Sequence, residues 1–493
     1  MNDFLTSLLY HAQSPLIFNS VLFILLFTLF YVGYVFVYND VRKRNTLLLI
    51  FSLYFYYKIS GLYVILLVLM GTSDFFIGKA MFSSTVDSKR KLLLFLSLFI
   101  NIGSLIFFKY TNFFLNSLFG AAGQGESPIL LNLIMPLGIS FYVFKTLSYI
   151  LDIYRERAEE YEKSWLNYLL FVSFFPNILA GPISKSRDLL PQFRQKNELT
   201  NELIGAGLFL ILVGAFKKIF IADFLGANLV DRVFDSPEYF TGFEGLMATY
   251  GYTAQIYFDF SGYTDIVIGL ACLMGFRVEP NFNKPFLATN VVDFWRRWHM
   301  TLSGWLNEYV FYPLSYNLRS YKKRGIVIGV LITFFISGLW HGPAWTYILW
   351  GISHGIAIAW TMTTGDAFAK LGKTIPKWLY RFLSIIITFH FLTFSMILFR
   401  APDLNGAWKM YTLIFTKFDI SVAAQWAQLY MKPLIILILA YVLHYLPMKW
   451  INFFKGVYVK MHWTVKALIV VLAILFIYQA YSSDAQPFIY LEF

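Results

Sequence analysis

Between Gly325 and Trp360 the chain runs without a single Lys, Arg, Asp or Glu. In hydrocarbon such a segment must satisfy its own main-chain hydrogen bonds, and for a single segment the α-helix does this. Similar apolar segments follow one another along the sequence, beginning near Pro15, Thr46, Leu62, Leu92, Pro128, Leu203, Leu246, Gly325, Lys377, Lys432 and Val465. Since about 20 apolar residues cross roughly 30 Å of hydrocarbon, the expectation is an all-α, polytopic integral membrane protein with about 11 transmembrane helices. Hydrophobic residues make up 58% and charged residues 14% of the 493 positions, against roughly half and a quarter in a soluble domain. No soluble domain intervenes, so residues 1–493 read as one transmembrane domain with an aromatic tail at 485–493.

Two segments are too short or too polar to cross, Trp165–Pro182 and Phe294–Leu314, and are expected to be re-entrant. Their Pro176, Asn177, Gly181, Pro182, Arg296 and Arg297 are tolerable at depth only if buried in protein or lining a cavity. The single Cys272 excludes an intramolecular disulfide and a cysteine metal cluster. Residues Met1–Ser14 carry Asp3 but no Lys or Arg, so the basic start of a signal peptide is missing and the first apolar segment is expected to remain a span.

The net charge of +12 is unevenly spread. Arg42–Arg44, Lys89–Lys91, Arg155 with Arg157, Lys185–Lys196 and Arg319–Arg324 fall in short connections, which the positive-inside rule assigns to the cytoplasm. Residues Gly120–Ser127 lack basic groups, and Gly226–Gly245 holds Asp231, Asp235, Glu238 and Glu244 against Arg232; both are expected outside, with the N-terminus extracytoplasmic. The basic connections are read as topology and attraction to anionic membrane lipid, not as a nucleic-acid surface.

Ionisable groups inside apolar segments mark the chemistry. His341, in Ser337-Gly338-Leu339-Trp340-His341-Gly342-Pro343-Ala344-Trp345, lies sixteen residues beyond Gly325, which a helix would lift roughly 24 Å from the cytoplasmic edge. A neutral imidazole there suits a general base that takes a proton from an acceptor hydroxyl; a packing or helix-linking role is the alternative. In Asp293-Phe294-Trp295-Arg296-Arg297-Trp298-His299, helical spacing places Trp295, Trp298 and His299 on one face. Arg296 and Arg297 then point elsewhere, either to grip the phosphates of a thioester carrier or to snorkel beside an interfacial tryptophan belt. Asp259, Ser261 and Asp265 sit in one apolar segment, and the six-residue spacing of the acids does not stack them on one helical face. They are expected to bind backbone or basic partners rather than to act as a paired acid and base, and to line a channel with Trp340, Trp345 and His354. His354 follows His341 by thirteen residues and would occupy another face of a continuous helix. No histidine spacing suggests a metal site.

The signatures Phe294–Ser303 and Gly338–Gly342 resemble the two histidine-bearing motifs of the membrane-bound O-acyltransferase (MBOAT) superfamily. Ser140–Tyr142, Leu151–Arg155, Leu179–Ile183, Tyr257–Asp265 and Glu279–Phe282 are similar to its alginate O-acetylation branch, which is related to the teichoic acid D-alanyl transfer proteins. The resemblance implies an MBOAT fold of helices and re-entrant segments around a central pore in the bacterial inner membrane. It implies acyl transfer from a cytoplasmic thioester, acetyl-CoA or an acyl carrier protein's phosphopantetheine arm, to an extracytoplasmic polysaccharide hydroxyl. An esterase-like extracytoplasmic or membrane-tethered partner, His341 as catalytic residue and His299 as the second histidine follow from the same likeness; no bound cofactor is expected. The tail Pro487–Phe493 is similar to aromatic tails of this branch and suggests Tyr490 as a transient acyl carrier; an aromatic tail docked at the interface is the alternative. Phe311–Arg319 departs from the alginate-type loop that follows the first signature, so alginate itself is not implied. D-alanyl transfer, or acylation of another polymer, a lipid or a protein, are nearer alternatives; a glycan or lipid transporter without acyl chemistry is a different class.

Overall fold

The protein is described by a computed structural model, which covers residues 7–11, 15–18, 20–121, 130–131, 134–158, 160–480 and 488–489. Every regular element among them is helical. Among the described residues six helices are long and apolar enough to cross a membrane, and up to eight if each of two sharply bent pairs is one span. The sequence expectation of about 11 counted segments that are shorter or more polar as helices: Val21–Val37 has 17 residues, Ile139–Tyr154 has 16, and Val41–Ser60 holds Arg42, Lys43, Arg44 and Lys58.

The chain forms two compact units, the first built from residues Met1–Ile211 with Ile266–Glu279 and the second from Leu212–Asp265 with Pro280–Phe493. In the first, helix Val41–Ser60 begins where the Asp40 carboxylate accepts the main-chain N–H groups of Arg42 and Lys43, each at 3.1 Å, which supplies two of the four orphan donors at a helix start. Arg44 of the expected basic connection is fully buried. It donates to the carbonyl oxygens of Gln192, Phe193 and Gln195 and lies over the Phe276 ring. Asp74 is buried too, and accepts from Ser97 Oγ at 2.6 Å and Asn101 Nδ2 at 2.7 Å, while Thr146 Oγ1 donates to Asn101 Oδ1 at 2.8 Å. Three apolar helices, Tyr63–Phe82, Asp87–Leu105 and Ile139–Tyr154, are thereby cross-linked by polar groups that would otherwise be unsatisfied.

The expected re-entrant segment Trp165–Pro182 is a nine-residue helix, Trp165–Ser173, followed by irregular chain. That irregular chain is buried from Phe174 to Ile183, the condition under which non-helical backbone is tolerated at depth. Asn177 closes it: its amide donates to Ser184 Oγ at 2.8 Å and to the Pro182 carbonyl at 3.3 Å, and its oxygen accepts from Lys145 Nζ at 2.9 Å.

In the second unit the uncharged run is two helices, Lys322–His341 and Trp345–Leu371. Pro343 cannot continue a helix, and it pushes Gly342 to extended backbone, φ −176° and ψ 159°. The chain turns back and the two helices touch along their backbones. A Cβ on Gly338 would sit 2.4 Å from the Tyr347 carbonyl oxygen, and one on Gly351 would sit 2.3 Å from that of Phe334. Elsewhere in this unit two π turns, Lys217–Asp223 and Gly226–Val230, interrupt the 34-residue apolar helix Asn201–Phe234.

Gly351→Ala is therefore expected to cost about 1–3 kcal/mol through overpacking and to lower the melting temperature of detergent-purified protein. Gly365→Ala, on the same helix with open space around it, is expected to leave it unchanged or raise it. Equal melting temperatures for the two variants would contradict the packing described.

Candidate functional site

His341 is the last residue of helix Lys322–His341, and the backward turn at Pro343 brings the next helix over it. Its ring is 1% exposed and stands edge-on to Trp350 at 4.9 Å, to Trp340 at 5.1 Å and to Phe399 at 5.2 Å between centroids. His299 lies on the other side of Trp340, at 5.8 Å, and packs on Phe260 at 4.8 Å. The structure thus brings the two sequence-predicted histidines around one indole, inside the second unit.

The backbone at His299 is left-handed, φ 42°, a conformation that costs an L-residue about 1–2 kcal/mol. Local chain geometry holds it there. Helix Val291–Trp295, capped by Asn290 accepting from Asp293 N, ends after five residues, and Met300–Leu306 begins directly after His299. The 299 carbonyl accepts from Ser303 N, and Met300 N donates to the Asn281 carbonyl, each at 2.9 Å. Trp295, Trp298 and His299 therefore do not share a helical face as the spacing predicted, because a five-residue helix gives the periodicity no length to act over. Trp298 stacks on Phe294 and meets Phe282, whereas Trp295 turns to His354 and Trp350.

Hydrogen bonding fixes the proton positions on two imidazoles. Asn281 Oδ1 accepts from Thr301 N at 3.2 Å and Thr301 Oγ1 at 2.7 Å; a main-chain N–H can only donate, so the amide orientation is set. His299 Nδ1, 3.2 Å from the same oxygen, must donate, which leaves Nε2 as the lone-pair nitrogen of the neutral ring. In His354 the order is reversed. Trp295 Nε1 donates to Nδ1 at 3.2 Å, so Nε2 carries the hydrogen and faces Ser395 Oγ at 3.1 Å, whose own hydrogen goes to the Leu392 carbonyl. His354 is not on a remote face of a continuous helix, as the unbroken run suggested. It sits 4.8 Å from Trp350, next to the His341 shell, with both nitrogens committed.

The other candidates separate. Arg297 is ion-paired to Asp293 at 2.8 Å and Arg296 is exposed. Trp340 is buried, while Trp345 is half exposed at the start of its helix. Asp259 is paired with Lys218 and Asp265 with Lys217, at 2.7 and 2.6 Å, and Ser261 is buried one turn away. Tyr490 lies outside the described residues. Sequence reading did not single out Lys217, Lys218, Trp350 or Phe399, and it met Asn281 only as part of the matched stretch Glu279–Phe282; for the lysines the available signal was two cations inside an apolar span. No group of three or more His, Cys, Asp or Glu able to hold a metal ion occurs among the described residues.

Residues 139–401 match the family described as MBOAT, membrane-bound O-acyltransferase family, a stretch that contains both histidines. The chain is 36% identical over 425 residues to a peptidoglycan O-acetyltransferase of Helicobacter pylori, covering 80% of this chain and 79% of that protein. It is 34% identical over 440 residues to a probable alginate O-acetylase of Azotobacter vinelandii, covering 87% and 84%. A teichoic acid D-alanyltransferase of Bacillus subtilis is 33% identical over 286 residues, covering 56% and 71%.

Replacing Ser395 by Ala strands the His354 Nε2–H in a dry site, at an expected cost of about 1–3 kcal/mol. The check is thermal unfolding of the purified protein, and an undiminished melting temperature would argue against the assigned tautomer.

Proposed function

Because the chain belongs to the membrane-bound O-acyltransferase family, we propose that this integral membrane enzyme moves an acyl group, acetyl in the first instance, from a cytoplasmic thioester to a hydroxyl of a cell-surface polysaccharide. The observation that carries the reading is the buried His341 ring, held edge-on by three aromatic rings beside His299. A ring so enclosed is kept from bulk water, which favours transfer over hydrolysis of the thioester.

In the reaction, a His341 ring nitrogen takes the proton of the acceptor hydroxyl while that oxygen bonds to the acyl carbonyl carbon. The carbon–sulfur bond then breaks, and the departing thiolate receives the proton from the imidazolium. His299, with Nε2 as its lone-pair nitrogen, assists from the neighbouring shell. The thioester arrives as acyl-CoA or on the phosphopantetheine of a carrier protein, and Arg296 is the exposed cation available to its phosphates. The whole chain works as one transmembrane domain in the bacterial inner membrane, with the basic connections inside and the N-terminus outside. An extracytoplasmic or membrane-tethered partner completes delivery to the polymer, and Tyr490 is the transient carrier whose phenolic oxygen receives the group.

Peptidoglycan and alginate are the acceptors in the names of the relatives covering most of this chain, which favours O-acetylation over D-alanylation. A transporter without covalent chemistry is the competing class.

With purified protein and an acetyl thioester, His341→Ala is expected to lose about 10²–10⁴-fold in acyl transfer while remaining monodisperse. Donor-independent glycan flux that survives the substitution would replace the enzyme by a transporter. In intact cells, isotopically labelled acetate should appear on the surface polymer and, transiently, on the C-terminal peptide. Full polymer acylation in Tyr490→Phe would remove the carrier.

A further inference from the structure

A cluster of charge lies buried in the second unit, on the helix that carries Phe260. Lys218 Nζ bonds Asp259 Oδ1 and Asp223 Oδ1, each at 2.7 Å, and the side chains of Lys218 and Asp259 are both 1% exposed. One cation faces two carboxylates, and such a site is costly unless the remaining oxygens find donors. The second oxygen of Asp259 finds one far along the sequence: the main-chain N–H of Ile489 donates to Oδ2 at 3.0 Å. The preceding residue, Phe488, is fully buried. Its ring meets Tyr263 edge-on at 4.8 Å, and the Lys218 ammonium stands 4.7 Å from its centroid.

Three recognition elements of different kinds thus converge on two consecutive residues: a carboxylate for a main-chain N–H, an aromatic wall for a ring, and a desolvated cation over that ring's face. We propose that Lys218, Asp259 and Tyr263 form a peptide-binding dock for the chain's own C-terminal segment, reading residue 488 by its aromatic side chain and residue 489 by its backbone. The dock borders the histidine shell, since Phe260, which follows Asp259, is the residue packed on His299. Tyr490 is the next residue after the docked pair. The dock's purpose, presenting an acyl carrier to that shell, rests on the reading of Tyr490 given above; its geometry does not. Lys218 and Asp259 are accordingly positioning residues.

Asp259→Asn is a sharp perturbation. In either orientation of the amide, an N–H replaces an acceptor that now serves Lys218 or Ile489. Phe488→Ala empties the ring site without altering any helix, so it tests the dock even if the first variant folds poorly. Both are placed in the full chain carrying Cys272→Ser and Ile489→Cys, and the rate of labelling by a small maleimide is measured on purified protein. Labelling at least tenfold faster in both variants than in their parent is expected; unchanged rates in both would overturn the dock. Tyr490→Phe in the same background separates the two ideas. Slow labelling with undiminished polymer acylation removes the carrier and leaves the dock standing, whereas parent-like acylation together with fast labelling in Phe488→Ala shows that docking serves no presentation and overturns the assigned purpose.

Discussion

Two helices meet backbone to backbone at Gly338 and Gly351, and most of what surrounds the histidines depends on that approach. Any side chain at either position would strike a carbonyl oxygen of the partner helix, so the pair can close only because the sequence supplies hydrogen atoms there. Closure lays Trp350 across the end of the preceding helix. One indole then contacts His341 on one side and His354 on the other, and two imidazoles thirteen residues apart come to share a shell. The same closure sets their different chemistry. His354 is tied at both nitrogens, between an indole N–H and a hydroxyl, while His341 sits at a helix end among ring edges.

The buried cations show how the chain avoids the cost of charge in a dry interior. Arg44 is satisfied by main-chain carbonyls and an aromatic face. Lys58 donates to the carbonyls of Ser7 and Leu9, and Lys145 to an asparagine beside the Phe171 ring. Carboxylates are used for the buried Lys218 and for its partly exposed neighbour Lys217. Carbonyl and amide partners hold the segments they come from, so the first three cations act as stitches between distant stretches of chain.

The class of fold, the two histidine signatures and the burial of the irregular segment after Trp165 were legible because each follows from composition or from a local pattern. Pro343 weakens a regular helix, but the turn it makes was not legible in a run read as one continuous helix. Periodicity alone kept His354 away from His341, and only tertiary closure reunites them. Around His299 the periodic reading failed because the helix before it is five residues long. That Asp259 and Asp265 take basic or backbone partners was expected, but which lysines they meet was hidden for another reason. Neighbouring lysines on a regular helix would diverge by roughly 100°, and nothing in the residue types announces the widened turn that begins with them.

That widened turn, Lys217–Asp223, alters the phase of its helix. Lys217 and Lys218 are adjacent in sequence, yet reach acids six places apart on the helix Gly242–Leu273. The two rods are consequently keyed, like a ratchet, at two teeth. An axial slide would draw on both ion pairs at once, so together they resist displacement of the rod bearing Phe260 along its neighbour.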